Sequence, residues 1–322
     1  MKRMVKIVLT IMFIFFVFTG CGNQNNANST GKQESIGEID KEDVAEIEKE
    51  TNISERIVEY IQNPDFSEEK IGKTYIDGDY EYTVLEDGTV CISSYTGSES
   101  DLDIPTVLGG YSVSKIGERA FEDAKMVSLN VPGQIVEIGE RAFQSCDNLS
   151  KIVLNEGTTT LLLGVFNSNE AVTEITLPKS LYRVDMGALP NDSNYSKNYY
   201  INGLHYVDNV VVGFDSNSFI NAGTYSLENL EFAEGTTVIA ETALWGEGIK
   251  IKDKEVRIPD TVKGIGSAAF AAQPYIEKFY LPSSVIYIGK GAISKNAKIY
   301  AEEGTVAEKY ANENGIECVI IN

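Results

Sequence analysis

The chain has 322 residues, of which 43% are apolar and 23% charged, and its formal net charge is −21. This apolar content excludes a chain that is disordered throughout, and the length suits one elongated domain or two compact ones. The acidic charge repels phosphate groups, so we expect no nucleic-acid partner and no direct contact between the folded part and anionic lipid headgroups.

Residues 1–20 have the pattern of an export signal. Three basic residues among the first six precede an apolar run from Ile7 to Phe18, and a glycine stands directly before Cys21. The run is shorter than the roughly 20 residues that a membrane-spanning helix needs. The segment resembles a bacterial lipoprotein signal peptide, in which cleavage leaves a lipid on Cys21, although Phe18 stands where Leu is usual. Ordinary secretion with an incidental cysteine is the alternative.

Two different segments follow the signal. Residues 21–39 are polar and rich in Gly, Asn and Ser, which predicts a flexible tether. Residues 40–70 form a short helical linker region in our interpretation, because Asn52 and Glu55 make a capping pair before an apolar pattern that stops at Pro64. The sequence leaves open whether this region is a stalk or packs against the folded part.

The hexapeptide IGERAF occurs at residues 116–121 and again at 138–143. Copies with conservative replacements follow at intervals of 23, 23, 55, 26 and 23 residues. The last residue of each copy, called a spine residue below, is large and apolar, and the residue before it is small. The spine residues are Phe121, Phe143, Phe166, Leu189, Leu244, Phe270 and Ile293. This periodicity predicts a stack of similar structural units.

Each copy also predicts two strands. Apolar and polar residues alternate around Leu129 and Val131, before a proline position that lies eleven residues upstream of the spine residue and is occupied here by Pro132. A second apolar pair, Ile135 and Ile138, precedes the spine residue. One unit is therefore a strand, a proline turn, a short strand and a single helical or 3₁₀ turn.

These units predict a solenoid. No unit buries its apolar side alone, and stacking gives every strand a neighbour at about 4.8 Å. We expect an α/β fold leaning towards all-β, with about seven units of 22–23 residues and the spine residues in one buried column.

The 55-residue interval contains an insertion at about residues 190–229. Tyrosines mixed with Asn and Ser suit contact with a protein or a glycan, which makes Tyr199, Tyr200 and Tyr206 candidate binding residues. A structural insertion is the alternative.

Within and after the insertion the pattern predicts further strands. Leu204–Val207 and Val210–Phe214 form a hairpin around Asp208-Asn209 in this interpretation. The next copy is degenerate: an alanine replaces the proline, and Leu230 with Phe232 predicts its first strand.

The pattern L-x-x-[IV]-x-[LI]-P-x-x-[VI]-x-x-I-G-x-x-A-F, followed by C-x-x-L, resembles the BspA-type leucine-rich repeat. Residues 142–157, AFQSCDNLSKIVLNEG, match it through Cys146, Leu149, Ile152 and Leu154. The resemblance covers residues 79–320, including an N-terminal hairpin cap at 79–100 and a C-terminal cap at 297–320. It implies a right-handed solenoid and a family of bacterial surface proteins, several of which bind host or neighbouring-cell proteins. It implies no catalytic residues.

The C-terminal cap contains a predicted helix. Thr305 and Glu308 form a capping-box pair at its start, Val306 and Tyr310 belong to an apolar stripe, and Gly315 ends it. We expect this helix to cover the end of the solenoid.

Candidates for catalysis and metal binding are few. His205 is the only histidine and has no nucleophile motif nearby, so we interpret it as a strand residue. Cys146 follows a spine residue by three positions and is expected to be buried. Asp101 and Asp103, with a nearby glutamate, lack the spacing of a calcium loop and suit a solvated turn. We therefore expect no enzyme activity, no cofactor and no metal.

Binding surface remains as the source of function. Arg257 and Tyr280 are the candidate binding residues on the outward face of the first strands, although a plain solvated sheet is equally compatible with the residues there. We expect an extracytoplasmic adhesion or protein-binding module that is exposed at the bacterial cell surface and held to the membrane by the lipid on Cys21. Its partner is a protein or glycan on a host, a neighbouring cell or the cell wall.

Two other functions are considered. One is a structural cell-envelope component that self-associates or binds the cell wall. The other is a hydrolase, which the absence of an acid, base and nucleophile set disfavours.

Overall fold

The computed structural model describes residues 70–190, 198–214, 225–227, 229–246 and 249–321. The predicted signal peptide, tether and helical linker up to residue 69 lie outside the described residues, and so does Cys21.

The repeats contribute two kinds of strand, which differ in their place relative to the proline position. The first strands, directly before it, are β4 (Asp101–Asp103), β7 (Ser128–Val131), β9 (Lys151–Leu154), β11 (Glu174–Thr176), β19 (Glu255–Arg257) and β21 (Lys278–Tyr280). Two strands of the C-terminal cap, β23 (Lys298–Ala301) and β24 (Glu317–Ile320), continue the sheet of β19 and β21, whereas β16 (Tyr225–Leu227) and β18 (Ile249–Ile251) lie farther upstream of the proline position and pair with each other. The second strands, after it, are β8 (Glu137–Ile138), β10 (Thr160–Leu161), β12 (Arg183–Val184), β17 (Val238–Ile239), β20 (Gly264–Ile265) and β22 (Tyr287–Ile288).

The remaining strands lie at the N-terminal end and in the insertion. The N-terminal strands are β1 (Thr74–Asp77), β2 (Tyr80–Val84), β3 (Val90–Tyr95), β5 (Val107–Leu108) and β6 (Tyr111–Ile116). The insertion contains β13 (Asn198–Ile201), β14 (Leu204–Val207) and β15 (Val210–Phe214), and helix α1 (Val306–Asn314) lies near the C-terminal end.

The two kinds of strand form separate sheets. The first strands make two sheets, with orders β11-β9-β7-β4 and β19-β21-β23-β24, of which the second includes the two cap strands, and β16 pairs separately with β18. The second strands make two sheets, with orders β1-β2-β3-β6-β8-β10-β12 and β13-β14-β15-β17-β20-β22, and β5 pairs with β6. We call these two groups the first-strand sheets and the second-strand sheets. Successive repeats pair in parallel, and Leu129, Ile152 and Ile175 are aligned in register. The predicted mostly-β solenoid is confirmed, whereas its handedness stays a prediction.

The spine residues form the predicted buried column. All seven are at most 3% exposed. The ring of Phe143 stacks on those of Phe121 and Phe166, with centroid distances of 4.9 and 5.5 Å. A small residue such as Ala142, also fully buried, precedes each one. Close packing of this kind gives the repeats a continuous core.

The segment around the first spine residue, Phe121, differs from the predicted helical or 3₁₀ turn. Between Gly117 and Ala124 every second amide donates a hydrogen bond to the carbonyl three residues earlier, and Arg119 and Asp123 have φ of 54° and 61°. Alternate amides donate to the next repeat, as Phe121 N does to the carbonyl of Ala142 at 2.8 Å. Because these left-handed residues interrupt the helical dihedrals, the segment is a run of β-turns rather than a helical or 3₁₀ turn.

The insertion contains the predicted hairpin. Strands β14 and β15 pair antiparallel around the two-residue loop, with Val207 opposite Val210, and Asp208 has φ of 55°. The prediction of a strand at Leu230 and Phe232 is wrong, because residues 229–233 form no strand and the nearest one, β16, ends at Leu227. The amide of Leu230 donates to the carboxylate of Asp253 at 2.6 Å, so the backbone there bonds to a side chain instead of a neighbouring strand.

Helix α1 begins and ends at the predicted residues. Thr305 Oγ1 accepts from the amide of Glu308 at 3.3 Å, and Glu308 Oε2 accepts from the amide of Gly304 at 2.6 Å. Gly315 has φ of 66° and donates back to the last turn. Tyr310 is buried, whereas Val306 is 36% exposed and does not belong to the buried stripe.

Candidate binding surface

The alternation of the first strands places two rows of side chains on the outward face near the C-terminal end. One row, called the Arg257 row, contains Arg257, Tyr280, Tyr300 and Val319, which are aligned in register on β19, β21, β23 and β24. The other contains Glu255, Lys278, Lys298 and Glu317, two residues earlier on the same strands.

The Arg257 row is a stack. The guanidinium carbon of Arg257 lies 3.7 Å from the centroid of the Tyr280 ring, and the Tyr280 and Tyr300 rings stack at 4.6 Å. Since β19 and β23 flank β21 on opposite sides, both faces of the Tyr280 ring are covered. A guanidinium on an aromatic face is attracted by the ring quadrupole, so the stack holds Arg257 in place at the surface.

The charges of the second row neutralise one another. Glu255 pairs with Lys278, and Lys298 Nζ lies 2.6 Å from Glu317 Oε1. The hydrogen bond from Lys278 lowers the pKa of Glu255, and the same bond raises the pKa of Lys278. Glu255 therefore stays ionised at neutral pH, and both Glu255 and Glu317 already have a lysine partner.

An open cleft of about 450 Å³ lies beside the Arg257 row. Arg257 and Tyr280 form part of its lining, and the chain segments that follow β19, β21, β23 and β24 supply Asp260, Pro282, Ser283, Glu302 and Ile321. The volume falls within the usual range of ligand sites, roughly 300–1,000 Å³. Cationic, anionic, hydroxyl and apolar groups thus meet in one concave surface.

The N-terminal first-strand sheet has a different outward face. Asp101 accepts from Ser128 Oγ at 2.5 Å, and Asp103 accepts from Asn130 Nδ2 at 2.8 Å. Farther along this sheet, Lys151 pairs with a glutamate. These polar side chains bond to one another across neighbouring strands, so this face matches the plain solvated sheet that the sequence also allowed.

The candidate residues of the insertion are not on the same surface. Strands β13 and β14 belong to a second-strand sheet, whereas Arg257 and Tyr280 belong to a first-strand sheet. Tyr199 and Tyr200 are 37% and 43% exposed. The structure therefore divides the candidate residues between two surfaces.

Tyr206 was predicted as a binding residue, and the structure contradicts this prediction. Its side chain is fully buried, with the ring of Tyr199 stacked on it at 5.2 Å. Its hydroxyl accepts a hydrogen bond from the amide of Ala233 at 2.9 Å. Since it faces the core side of β14 and ties the insertion to the following repeat, it does not offer a binding surface.

Sequence reasoning missed Tyr300 and the acidic residues of the cleft. Tyr300 lies 20 residues after Tyr280 in a copy that has no proline position, so the repeat spacing did not select it. The alternation of the buried residues Ile299 and Ala301 with Tyr300 was the signal that could have placed it outward. Asp260 and Glu302 follow strands and have no periodic signal of their own.

His205 and Cys146 were the two single residues considered for a catalytic role, and the environment of neither one favours it. His205 lies on β14 with its ring stacked on Tyr200 at 4.7 Å. Cys146 is fully buried, and burial raises the pKa of its thiol to about 12, as it raises that of Cys91 to about 11. Within the described ranges, no group of three or more His, Cys, Asp or Glu side chains could hold a metal ion.

The comparison with known families decides the classification. A model of the BspA type leucine-rich repeat region matches residues 75–196 and 194–303, in six copies. The chain belongs to this family. The Arg257 row and the cleft run from the first strands of the last two BspA-type repeats, β19 and β21, into the cap strands β23 and β24. Among the residues that the structure describes, none forms a helix long and apolar enough to cross a membrane.

Solved structures similar to this BspA-type chain include three bacterial proteins. A leucine-rich cell surface protein from Faecalibacterium prausnitzii is 20% identical (TM-score 0.27), with 70% of this chain and 76% of that chain covered. A leucine-rich repeat protein from Bacteroides ovatus is 18% identical (TM-score 0.37), with 70% of each chain covered. The pneumococcal vaccine antigen PcpA is 13% identical (TM-score 0.33), with 79% of this chain and 100% of that chain covered. None of the curated proteins matches the chain.

Proposed function

We propose that this protein is a lipid-anchored, cell-surface module that binds a protein partner, or adheres to one, without catalytic activity of its own. The observation that carries the proposal is the Arg257 row beside an open cleft. The lipid on Cys21 holds the module to the bacterial membrane, and the solenoid presents the cleft away from the cytoplasm.

The composition of the surface favours a protein partner. Tyr and Arg are enriched in protein interfaces and among the residues that contribute most to binding. Stacking already fixes the side chains of Arg257, Tyr280 and Tyr300 in the free protein. Binding therefore costs less side-chain entropy than it does on a surface of free side chains.

The absence of catalysis is part of the proposal. The thiol of Cys146 is buried and protonated at neutral pH, and the ring of His205 is stacked on Tyr200. Neither residue lines the cleft. A nucleophile needs a base within hydrogen-bonding distance and access to substrate, and neither of these residues has both.

The location rests on two observations. The basic and apolar pattern of residues 1–20 is typical of an export signal, and it ends at Cys21. The chain also belongs to the BspA-type leucine-rich repeat family, a family of bacterial surface proteins. Both support a location outside the cytoplasm.

Capture experiments test the proposal. Full-length protein is incubated with surface-labelled host or neighbouring bacterial cells, and bound proteins are quantified for the wild type and for Arg257→Ala with Tyr280→Ala. The matched control changes the same outward positions of the N-terminal sheet, Asn130→Ala with Val153→Ala. We expect capture to fall at least several-fold only in the first variant. Equal capture by both variants, with both folded by circular dichroism, contradicts the proposal.

A structural envelope component is the second candidate function, because one observation favours it. Strand β24 ends its sheet among the described residues, and Ile320 and Ile321, at its end and directly after it, are 45% and 38% exposed. An exposed apolar edge is a template for pairing with another chain. Sedimentation of full-length protein over a range of concentrations tests this candidate, which predicts a dimer or larger species that Ile320→Lys abolishes.

A further inference from the structure

The cleft beside the Arg257 row has more negative than positive charge. Asp260 and Glu302 line it, and Arg257 is the only basic residue in its lining. Neither acid forms an ion pair within the part of the chain that the structure describes, and there the carboxylate of Glu302 accepts only a long hydrogen bond of 3.4 Å from Ser283 Oγ. By contrast, Glu255 and Glu317 nearby are each paired with a lysine. A cation therefore complements the unpaired acids.

Apolar surface lies between the charged groups. Pro282 and Ile321 belong to the lining, and Ile321 is 38% exposed. The buried side chains of Ile258 and Leu281 form part of the floor. A ligand that fills the cleft must combine a positive charge with apolar groups, as an extended chain with a lysine or arginine between aliphatic residues does.

The length of the cleft favours an extended segment. Its lining residues come from or follow four adjacent strands, β19, β21, β23 and β24. At a spacing of about 4.8 Å, three strand intervals span about 14 Å. Roughly four residues of extended chain, at about 3.3 Å each, cover this distance. A single inorganic ion or one side chain leaves most of the cleft empty.

Other ligand classes fit the cleft less well. A sugar ring that stacks on an aromatic residue needs a free face, and both faces of Tyr280 are covered by Arg257 and Tyr300. Phosphate groups are repelled by Asp260 and Glu302. The covered ring of Tyr280 therefore disfavours glycans, and the carboxylates of Asp260 and Glu302 disfavour nucleic acids.

We propose that this cleft binds an extended peptide segment of a partner protein, with a lysine or arginine side chain flanked by apolar residues. This inference rests on the proposed protein-binding function and names the chemistry of the partner. The basic group contacts the carboxylates of Asp260 and Glu302, and the apolar neighbours contact Pro282 and Ile321.

The test uses a phage-displayed library of random peptides selected against the full-length protein. Binding of the enriched peptides is then measured to wild type, to Asp260→Asn with Glu302→Gln, and to Glu234→Gln with Glu303→Gln. The last variant makes the same charge change with exposed acids outside the cleft. We expect basic residues flanked by apolar ones in the enriched peptides, binding about fivefold weaker in the cleft variant, and binding within twofold of wild type in the control.

Three results overturn the inference: no enrichment, enriched peptides without a basic residue, or equal binding by both double variants. Capture from cell surfaces separates this failure from failure of the proposed function. If Arg257→Ala with Tyr280→Ala abolishes capture while Asp260→Asn with Glu302→Gln retains it, the proposed protein-binding function stands. The inference that the cleft binds a basic peptide is then wrong. If neither variant changes capture, both fail. If the wild-type protein binds glycans on an array and the cleft variant does not, the cleft is a carbohydrate site and the inference is wrong.

Discussion

Asn169 binds the backbone at Cys146, one repeat earlier. Its Oδ1 accepts from the amide of Cys146 at 2.8 Å, and its Nδ2 donates to the carbonyl of Phe143 at 2.9 Å. Gln273 makes the equivalent pair of bonds, accepting from the amide of Ile251 and donating to the carbonyl of Leu244. Each follows a spine residue by three positions, so the repeat position that holds a cysteine at 146 also holds a buried carboxamide.

Replacing Asn169 with alanine is expected to destabilise the protein by about 1–3 kcal/mol, because two buried backbone groups lose their partner. Asn148→Ala is the matched control, since Asn148 is exposed and its side chain makes, among the described residues, only a long hydrogen bond of 3.4 Å to the carbonyl of Lys125. Urea unfolding of both variants measures the difference. Equal unfolding midpoints contradict the role of Asn169.

Replacing Phe143 with alanine removes the central ring of the spine and is expected to cost about 3–5 kcal/mol. Phe143 is fully buried between two other phenylalanine rings. Val153→Ala serves as the control, because Val153 lies on the outward face of β9 and is only half-buried. A thermal melt that Phe143→Ala leaves unchanged is incompatible with the buried column.

Gly264 is expected to tolerate no side chain. A Cβ on this residue lies 1.6 Å from the carbonyl oxygen of Tyr182, so strand β20 must move away from residue 182. Gly264→Ala should destabilise the protein by about 1–3 kcal/mol or more, as overpacking does elsewhere. Gly213→Ala is the control, since its nearest atom is the carbonyl oxygen of Ala243 at 4.0 Å. Similar melting temperatures for the two variants contradict this close approach.

The thiol of Cys146 is expected to resist alkylation in the folded protein. Burial raises its pKa from 9.0 to about 12, so at pH 8 the thiolate fraction falls about a thousandfold, and the closed core excludes the reagent. Mass spectrometry after iodoacetamide treatment should show Cys146 labelled in urea but not in buffer. Cys318, which is only half-buried, should react sooner. Labelling of Cys146 at the same rate in both conditions argues against its burial.

The substitution Cys21→Ser tests the predicted lipid anchor. We expect the wild-type protein in the membrane fraction of the producing bacterium and the variant in the medium or as an unprocessed precursor. Fractionation followed by immunoblotting measures the distribution. Retention of the variant in the membrane, with processing equal to wild type, contradicts lipidation.

Much of the fold was predictable because each repeat must meet the same packing demands. The spine residues and the hairpin of Leu204–Val207 with Val210–Phe214 were found from spacing and alternation alone. The strand at Leu230 was predicted wrongly, because the carboxylate of Asp253, 23 residues later, binds its amide. No local sequence pattern predicts a hydrogen bond of this kind.

The site was predictable only in part. Arg257 and Tyr280 follow from their outward positions, but their contact with each other and with Tyr300 depends on how adjacent strands align. Tyr199 and Tyr206 looked equivalent in the sequence, yet one is exposed and the other fully buried. Both residues face the same side of the sheet, opposite each other on β13 and β14. Because β13 ends the sheet among the described residues, Tyr199 is less covered than Tyr206, and the sequence of the insertion did not show which of the two strands would be the outer one.

The repeat, its period and the residues of the buried column can be read from the amino-acid sequence, because they depend on side-chain size at fixed spacing. The folded structure was needed to show which residues share a surface, that Tyr280 is covered on both faces, and that Asp260 and Glu302 meet in one cleft without ionic partners among the described residues. These properties arise between strands about 20 residues or more apart, so they depend on strand register and packing.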